Sequence, residues 1–224
     1  MAREYLTKTP VGPFDILESE FLFAEGFEGT PEITVTSEPA GGYARKNPAF
    51  VLGGNYALEV ATNPTSPQAG DQIEAYRRTC LITAPKLSLT AFIKPYSNYA
   101  NSYIVFGFNT TLLDLSGQAF VFARINVATG DVSVKTGAAT WTSIGTLPIT
   151  LSQIWYLMEI TYDLVKNKCG IVRIGDKIFD ASDYTPYTPA IVDLSIYFGV
   201  ALLTNSAAQA TMFVDNLILR ALPK

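Results

Sequence analysis

Residues 153–180 read QIWYLMEITYDLVKNKCGIVRIGDKIFD, and residues 193–220 read DLSIYFGVALLTNSAAQATMFVDNLILR. In the first run Ile154, Tyr156, Met158 and Ile160 fall on one side of an extended chain, and Trp155, Leu157, Glu159 and Thr161 on the other. A period of two, carried by β-branched and aromatic side chains, marks a strand, because successive Cβ atoms of an extended chain point to opposite faces. A polar turn over 163–168 leads to a second strand at 170–174, and Gly175-Asp176 offers a tight reversal into 177–179, since glycine takes the positive φ that such turns need. A long apolar strand over 192–203 and a closing strand over 211–219 complete the series. Either Trp155 or Tyr156 is expected in the core, because large aromatics in alternating apolar runs supply packing area.

Working outward, the same period appears upstream. Strands are expected at 21–23, 33–36, 55–62, 72–82, 86–94, 103–108, 118–127 and 141–149. Pro95 is expected to stop its strand, and 39–48, with Gly41-Gly42, 63–70 and 97–101 to be loops. The clearest hairpin signal is INVATGDVSVK at 125–135, two alternating runs around Gly130. No stretch of useful length has a 3.6-residue period, and 13 prolines and 16 glycines are spread through the chain as turn-formers. Residues 1–19 hold two prolines and scattered apolar side chains without a sheet period. The expectation is therefore an N-terminal arm over 1–19, with Phe14 and Leu17 as contacts to a neighbour, and one domain over 20–224. That domain is all-β, a two-sheet antiparallel sandwich of about a dozen strands.

The order of features in the last third is a Trp-bearing strand, a Tyr-Asp turn, a short strand ending in Gly-Asp, an apolar strand and a closing Phe213-Val214-Asp215-Asn216-Leu217 strand. This order resembles the second half of the concanavalin A-like (laminin G-like) jelly roll. The opening phrase Gly26-Phe27-Glu28-Gly29 and the closing strand are similar to those of carbohydrate-binding β-sandwiches. The resemblance implies a jelly-roll sandwich that hosts lectins, lyases, glucanases and purely structural subunits, so the fold alone selects no function. It also implies a structural calcium where first and last strands meet, with Glu28 and Asp215 as its candidate ligands.

Composition excludes several classes. There is no histidine, which removes Ser-His-Asp and Cys-His catalysis and His-ligated zinc or iron. Net charge is −4 and the longest basic run is Arg77-Arg78, so nucleic acid is not an expected partner. Charged residues make up only 16% of the chain, well below the roughly 25% of an average soluble domain, which points to apolar surface covered by contacts. Residues 1–15 contain no apolar run of secretory-signal length, and the longest apolar run, 196–203, is too short to span a membrane. Cys80 and Cys169 read as buried thiols or, alternatively, as a disulfide.

Hydrolysis of a glycosidic bond needs two carboxyl groups facing one groove. The nearest arrangement places Gln72, Glu74, Tyr76 and Arg78 on one strand face, with only one acid. The same face suits sugar binding, since tyrosine rings stack on pyranose faces while Arg, Glu and Asn bond hydroxyls. Glu74, Tyr76 and Arg78, joined by Arg124 and Asn126 on a later strand, are the candidate carbohydrate-binding residues. Tyr184 and Tyr187, in the proline-stiffened run 183–189, are candidate interface residues along with the arm. The leading expectation is a non-enzymatic structural or surface subunit of a virion or other extracellular assembly, as a homo-oligomer or part of a multi-protein particle. A carbohydrate-binding module or adhesin is the alternative, and a polysaccharide lyase or glycoside hydrolase comes after both.

Overall fold

A computed structural model describes residues 20–29, 33–80, 84–148, 151, 153–190 and 195–222. The strands are β1 (Glu20–Glu25), β2 (Thr34–Glu38), β3 (Tyr43–Asn47), β4 (Ala57–Ala61), β5 (Gln72–Cys80), β6 (Lys86–Ser97), β7 (Ser102–Thr111) and β8 (Gln118–Asn126). They continue with β9 (Asp131–Lys135), β10 (Trp141–Thr146), β11 (Tyr156–Asp163), β12 (Lys168–Ile174), β13 (Lys177–Asp180), β14 (Ser195–Thr204) and β15 (Thr211–Leu222). All pairings are antiparallel and form two sheets, β13-β12-β11-β6-β15-β4-β3 with β1 also on β15, and β10-β9-β8-β7-β14-β5-β2. No α-helix occurs among the described residues. The expected all-β two-sheet sandwich is what the chain forms.

The alternation read from the sequence decides what lies between the sheets. Leu87, Leu89, Ala91 and Ile93 of β6 and Tyr156, Met158, Ile160 and Tyr162 of β11 face Ile104, Phe106 and Phe108 of β7 and Ile196, Phe198, Val200 and Leu202 of β14 in one buried cluster. Of the two neighbouring aromatics on β11, Tyr156 is the buried one and Trp155 is half-buried. Cys169 is buried and its thiol is free, so of the two readings for the cysteines the thiol one holds at this position. Burial pushes that thiol up to about 11, which leaves it un-ionised and unreactive at neutral pH.

Two local expectations fail for identifiable reasons. Residues 43–47, expected in a loop, form β3 against β4. The strand carries no apolar alternation because its partner on the face turned away from the core is an acid. Tyr43 Oη, Arg45 Nε and Asn47 Nδ2 donate to the Glu59 carboxylate at 3.0, 2.9 and 2.7 Å. Three successive same-face residues of β3 thus satisfy one nearly buried carboxylate of β4, and polar pairing replaces hydrophobic burial. The second exception is Pro95, which does not end its strand, because β6 runs to Ser97. Pairing with β11 stops at Ile93, so the proline lies where one edge of β6 has lost that neighbour and a missing N–H is tolerated.

The eight-stranded sheet closes at Asp215. Residues 211–214 of β15 pair with β4, and residues 217–221 pair with β1 along the same edge. Between them Asn216 takes φ 51 and the β6 register shifts. The fully buried Asp215 carboxylate fills this change of partner, accepting from Leu52 N at 3.1 Å, Gly53 N at 3.2 Å and Asn216 N at 2.8 Å. Burial raises its pKa from 3.8 to about 6; the three N–H donors oppose the rise and the nearby Glu28 charge adds to it. A carboxyl whose folded pKa exceeds its unfolded one stabilises the fold when protonated. That contribution is complete below pH 4 and is lost as pH rises through about 6. The stability of the native chain relative to Asp215→Asn should therefore fall by about 2–3 kcal/mol between pH 4 and pH 7. Parallel urea titrations at the two pH values measure the difference, and a pH-independent difference would refute the assignment.

Candidate functional site

The outward face of the seven-stranded sheet carries a groove of ≈ 470 Å³. Strand register explains its section. One row across the sheet runs Thr36, Glu74, Ala201, Val105, Arg124, Ser133 and Ser143. The next includes Thr34, Tyr76, Gly199, Gly107 and Phe122. Glycine, alanine and valine thus occupy the two central strands, β14 and β7, while longer side chains stand on β5 and β8 at either side. The result is a low floor between two raised walls.

The two glycines are required. A Cβ at Gly199 would lie 2.2 Å from the Ala75 carbonyl oxygen and 2.9 Å from Tyr76 Cβ. A Cβ at Gly107 would lie 2.2 Å from the Val121 carbonyl oxygen and 2.8 Å from Phe122 Cδ1. Tyr76 and Phe122 therefore lean over glycine backbone. On the β5 side Tyr76 meets Tyr197 edge-on, with centroids 5.6 Å apart, in the favoured geometry for aromatic pairs. On the other side Phe120 and Phe122 continue the wall, and Tyr187 packs on Phe120 at 5.7 Å.

Polar groups stand on the two walls, across the floor from one another. Glu74 accepts from Thr36 Oγ1 at 3.2 Å and from Gln72 Nε2. Opposite it, Arg124 places its guanidinium carbon 4.6 Å from the Tyr103 ring and 4.7 Å from Trp141. Its Nε is buried with no hydrogen-bond acceptor. The Lys135 ammonium lies 5.6 Å from the same Trp141 ring. Burial pulls both cations below their ordinary pKa range; the charge of Asp131 opposes this for Arg124, and that of Glu74 for Lys135. Near the centre Asn109 uses its Oδ1 to accept Tyr197 N at 2.7 Å, which fixes the wall tyrosine through its own backbone.

Of the five residues proposed from the sequence, Glu74, Tyr76 and Arg124 line this groove. Arg78 does not. It is exposed at the rim, donates from Nε to Ser195 Oγ at 2.9 Å and lies against the Tyr197 ring. Asn126 does not line it either, because its Oδ1 accepts Ala128 N at 3.0 Å and Thr129 N at 3.4 Å and so holds the β8–β9 turn. Tyr184 packs against the core, and Tyr187 bridges the groove rim through Phe120 N to Tyr187 O at 2.9 Å and Tyr187 N to Lys135 O at 3.1 Å. Both are half-buried, so each also helps to anchor its own loop. Phe14 and Leu17 lie outside the described residues. The sequence reading missed Trp141, Lys135, Tyr197 and Asn109. Alternation within their strands put each on a face, but which strands become neighbours was not readable.

Glu28 and Asp215, the calcium candidates, do converge across the loop at 52–56. Glu28 accepts from Asn55 N at 2.7 Å, Asn55 Nδ2 at 2.9 Å and Tyr56 N at 3.1 Å, which outweighs its burial and holds it below the usual carboxylate range. All four carboxylate oxygens of the pair thus already accept N–H groups. The adjoining carbonyls of Glu28 and Gly29 take the Lys46 ammonium at 3.0 and 2.8 Å. A calcium ion would compete with a cation and donors that the chain supplies itself, so these residues are a poor fit for the metal. Among the described residues no group of three or more acidic, histidine or cysteine side chains converges elsewhere to hold one.

No family model matches the chain, and no curated protein matches it in sequence. Solved structures do match in fold. An endo-β-1,4-glucuronan lyase from the fungus Trichoderma reesei aligns with TM-score 0.61 at 9% identity, over 89% of this chain and 95% of the other. Lectin I-B4 from Griffonia simplicifolia aligns with TM-score 0.54 at 12% identity, over 88% and 98%. A carbohydrate-binding module of the β-sandwich superfamily aligns at 0.48 and 17% identity over 90% of this chain, which spans 61% of that structure's length. The protein is a two-sheet β-sandwich with an aromatic-walled groove on one sheet. More narrowly, it has the concanavalin A-like jelly-roll fold.

The glycine floor makes a direct prediction. Gly199→Ala should cost about 1–3 kcal/mol in stability through overpacking and should displace Tyr76. Denaturant titration together with Tyr76 ring NMR shifts checks this; an unaltered midpoint would show that the floor can yield.

Proposed function

We propose that the groove binds a polysaccharide chain and does not cleave it. The observation that carries this reading is the groove's composition: a Gly/Ala/Val floor, rings of Tyr76, Tyr197, Phe122 and Trp141 around it, and hydrogen-bonding groups on both walls. Aromatic rings offer flat apolar surface to the C–H faces of sugars, and the few polar groups fix orientation. The alternative of a carbohydrate-binding module or adhesin is better supported than a virion subunit. The assembly reading drew on the arm at 1–19 and on a low-charge surface, and the arm lies outside the described residues. An extracellular setting follows from the ligand class. No helix among the described residues is long and apolar enough to cross a membrane.

The non-catalytic part of the proposal rests on the acids. Glu74 is the one carboxylate among the groove's lining residues, and both its oxygens are already bonded. Glu38 joins Glu74 only at a smaller depression of ≈ 140 Å³ on the exposed edge strand β2. A glycosidase needs its two carboxyl groups on opposite sides of one bond, whereas Glu38 and Glu74 share one end of the sheet.

Affinity electrophoresis against a panel of plant, algal and bacterial polysaccharides tests the proposal. Trp141→Ala should weaken binding by about tenfold or more, equivalent to about 1.4 kcal/mol, while thermal unfolding changes little. Incubated with the bound polysaccharide, the native chain should release no reducing ends or unsaturated sugars. Products that disappear in Glu74→Gln would overturn the non-catalytic part, and no binding across the panel would overturn the whole.

A further inference from the structure

The groove is uneven in charge, and this narrows the polysaccharide it takes; the inference rests on the glycan-binding reading above. Arg124 and Lys135 stand together on the adjacent strands β8 and β9, while Glu74 stands on β5. Three strand spacings, roughly 14 Å, separate the backbones of Glu74 and Arg124. Among the described residues neither cation forms an ion pair. Asp131, whose charge reaches Arg124, gives one oxygen to Ser133 Oγ at 2.9 Å and the other to Ser143 Oγ at 2.5 Å. Glu74, whose charge reaches Lys135, is bonded to Thr36 and Gln72.

Two half-buried cations thus stand on adjacent strands, and among the described residues neither has an ion-pair partner. Contact with the Tyr103 and Trp141 rings holds the Arg124 guanidinium without using its in-plane N–H donors. Removing like charges from water without a partner is unfavourable, and an incoming anion would relieve it. A neutral sugar can satisfy N–H donors but not the charge. A planar carboxylate can do both, through paired charge-assisted bonds to a guanidinium. Glu74 on the opposite wall would repel the same carboxylate and accept from hydroxyls, which discriminates between orientations of the chain.

We propose that the groove takes a carboxylate-bearing polysaccharide, a polyuronate, with a uronate carboxylate set against Arg124 and Lys135 and sugar hydroxyls against Glu74. Isothermal titration of the full chain tests this with polyglucuronate, polygalacturonate and alginate, each beside its carboxyl-reduced polymer, and with polyglutamate as an anion without sugar. The expected result is binding of at least one polyuronate about tenfold tighter than its reduced form, weakened as salt rises from about 50 to about 500 mM. In Arg124→Gln and in Lys135→Gln that preference should shrink to within about threefold, with each variant's unfolding temperature measured as a control. If Arg124→Gln fails to fold, Lys135→Gln carries the test. Equal binding of the reduced polymer would overturn the uronate inference and leave the glycan reading standing. Equal binding of polyglutamate would overturn it as non-specific attraction, and an unchanged preference in both variants would overturn the residue assignment. No binding to any polysaccharide would overturn both readings.

Discussion

The Asp215 carboxylate sits where the closing strand exchanges one neighbour for another, and the eight-stranded sheet is joined at that point. β15 must pair with β4 along its first residues and with β1 along its last. No regular ladder can serve two strands on one edge, so the backbone turns out of register at Asn216 and leaves amide groups of the 52–53 loop pointing inward. Buried N–H groups without acceptors cost about 1–3 kcal/mol each, and one buried carboxylate satisfies three of them. Glu28 does the same for residues 55 and 56 from the other side of the loop. The first, fourth and last strands are thereby tied together by two acids, and β6, which pairs with β15 along its length, is fixed with them. The groove-bearing sheet has its core face packed on this one.

The groove in turn follows from a simple constraint on side-chain size. Opposed glycines on β14 and β7 let the ladder approach without Cβ atoms, and rings from the flanking strands occupy the space above the backbone. Because the lining residues Glu74, Tyr76, Tyr197, Phe122, Arg124, Lys135 and Trp141 all stand on strands, their positions are set by hydrogen-bonded ladders and not by loop conformation. Sites built on regular elements are held more closely than sites on loops, and less ordering entropy is then lost when a ligand binds.

How much of this was legible in the sequence depends on the range of the interaction. Period-two alternation gave the strands of β11, β12, β14 and β15, because alternation is a local property of the strand, but it left open which face of β11, that of Trp155 or that of Tyr156, turns to the core. The strand β3 was invisible, since Tyr43, Arg45 and Asn47 answer to Glu59 of β4 and carry no apolar pattern. Glu74, Tyr76 and Arg124 could be placed on an outward face from alternation alone. Arg78 shares that alternation with Glu74 and Tyr76, yet it ends at the rim, where Ser195 and Tyr197 engage it. Asn126 was misjudged because an Asx turn and an exposed strand end look alike until the hairpin is drawn. Trp141 and Lys135 come from a hairpin whose sequence was plain, but their meeting with Arg124 is a matter of strand order, which has no local signal.

The same long-range placement bears on why a fold that hosts lyases and lectins alike would here serve binding. Hydrolysis of a glycosidic bond needs two carboxyl groups flanking that bond, and this groove has one acid on one wall and its cations on the other, with roughly 14 Å between their backbones. Such a separation is poor for proton transfer, which requires groups within hydrogen-bond reach of one reacting atom. It is well suited to recognising a ligand whose own charge and hydroxyls are segregated along an edge. Arg124 is held between aromatic neighbours with its Nε buried and unbonded, so part of its desolvation is left uncompensated in the chain without ligand. A site that bears this cost in the free state recovers it when an anion arrives, and that recovery favours an anionic chain over a neutral one between otherwise undiscriminating aromatic walls.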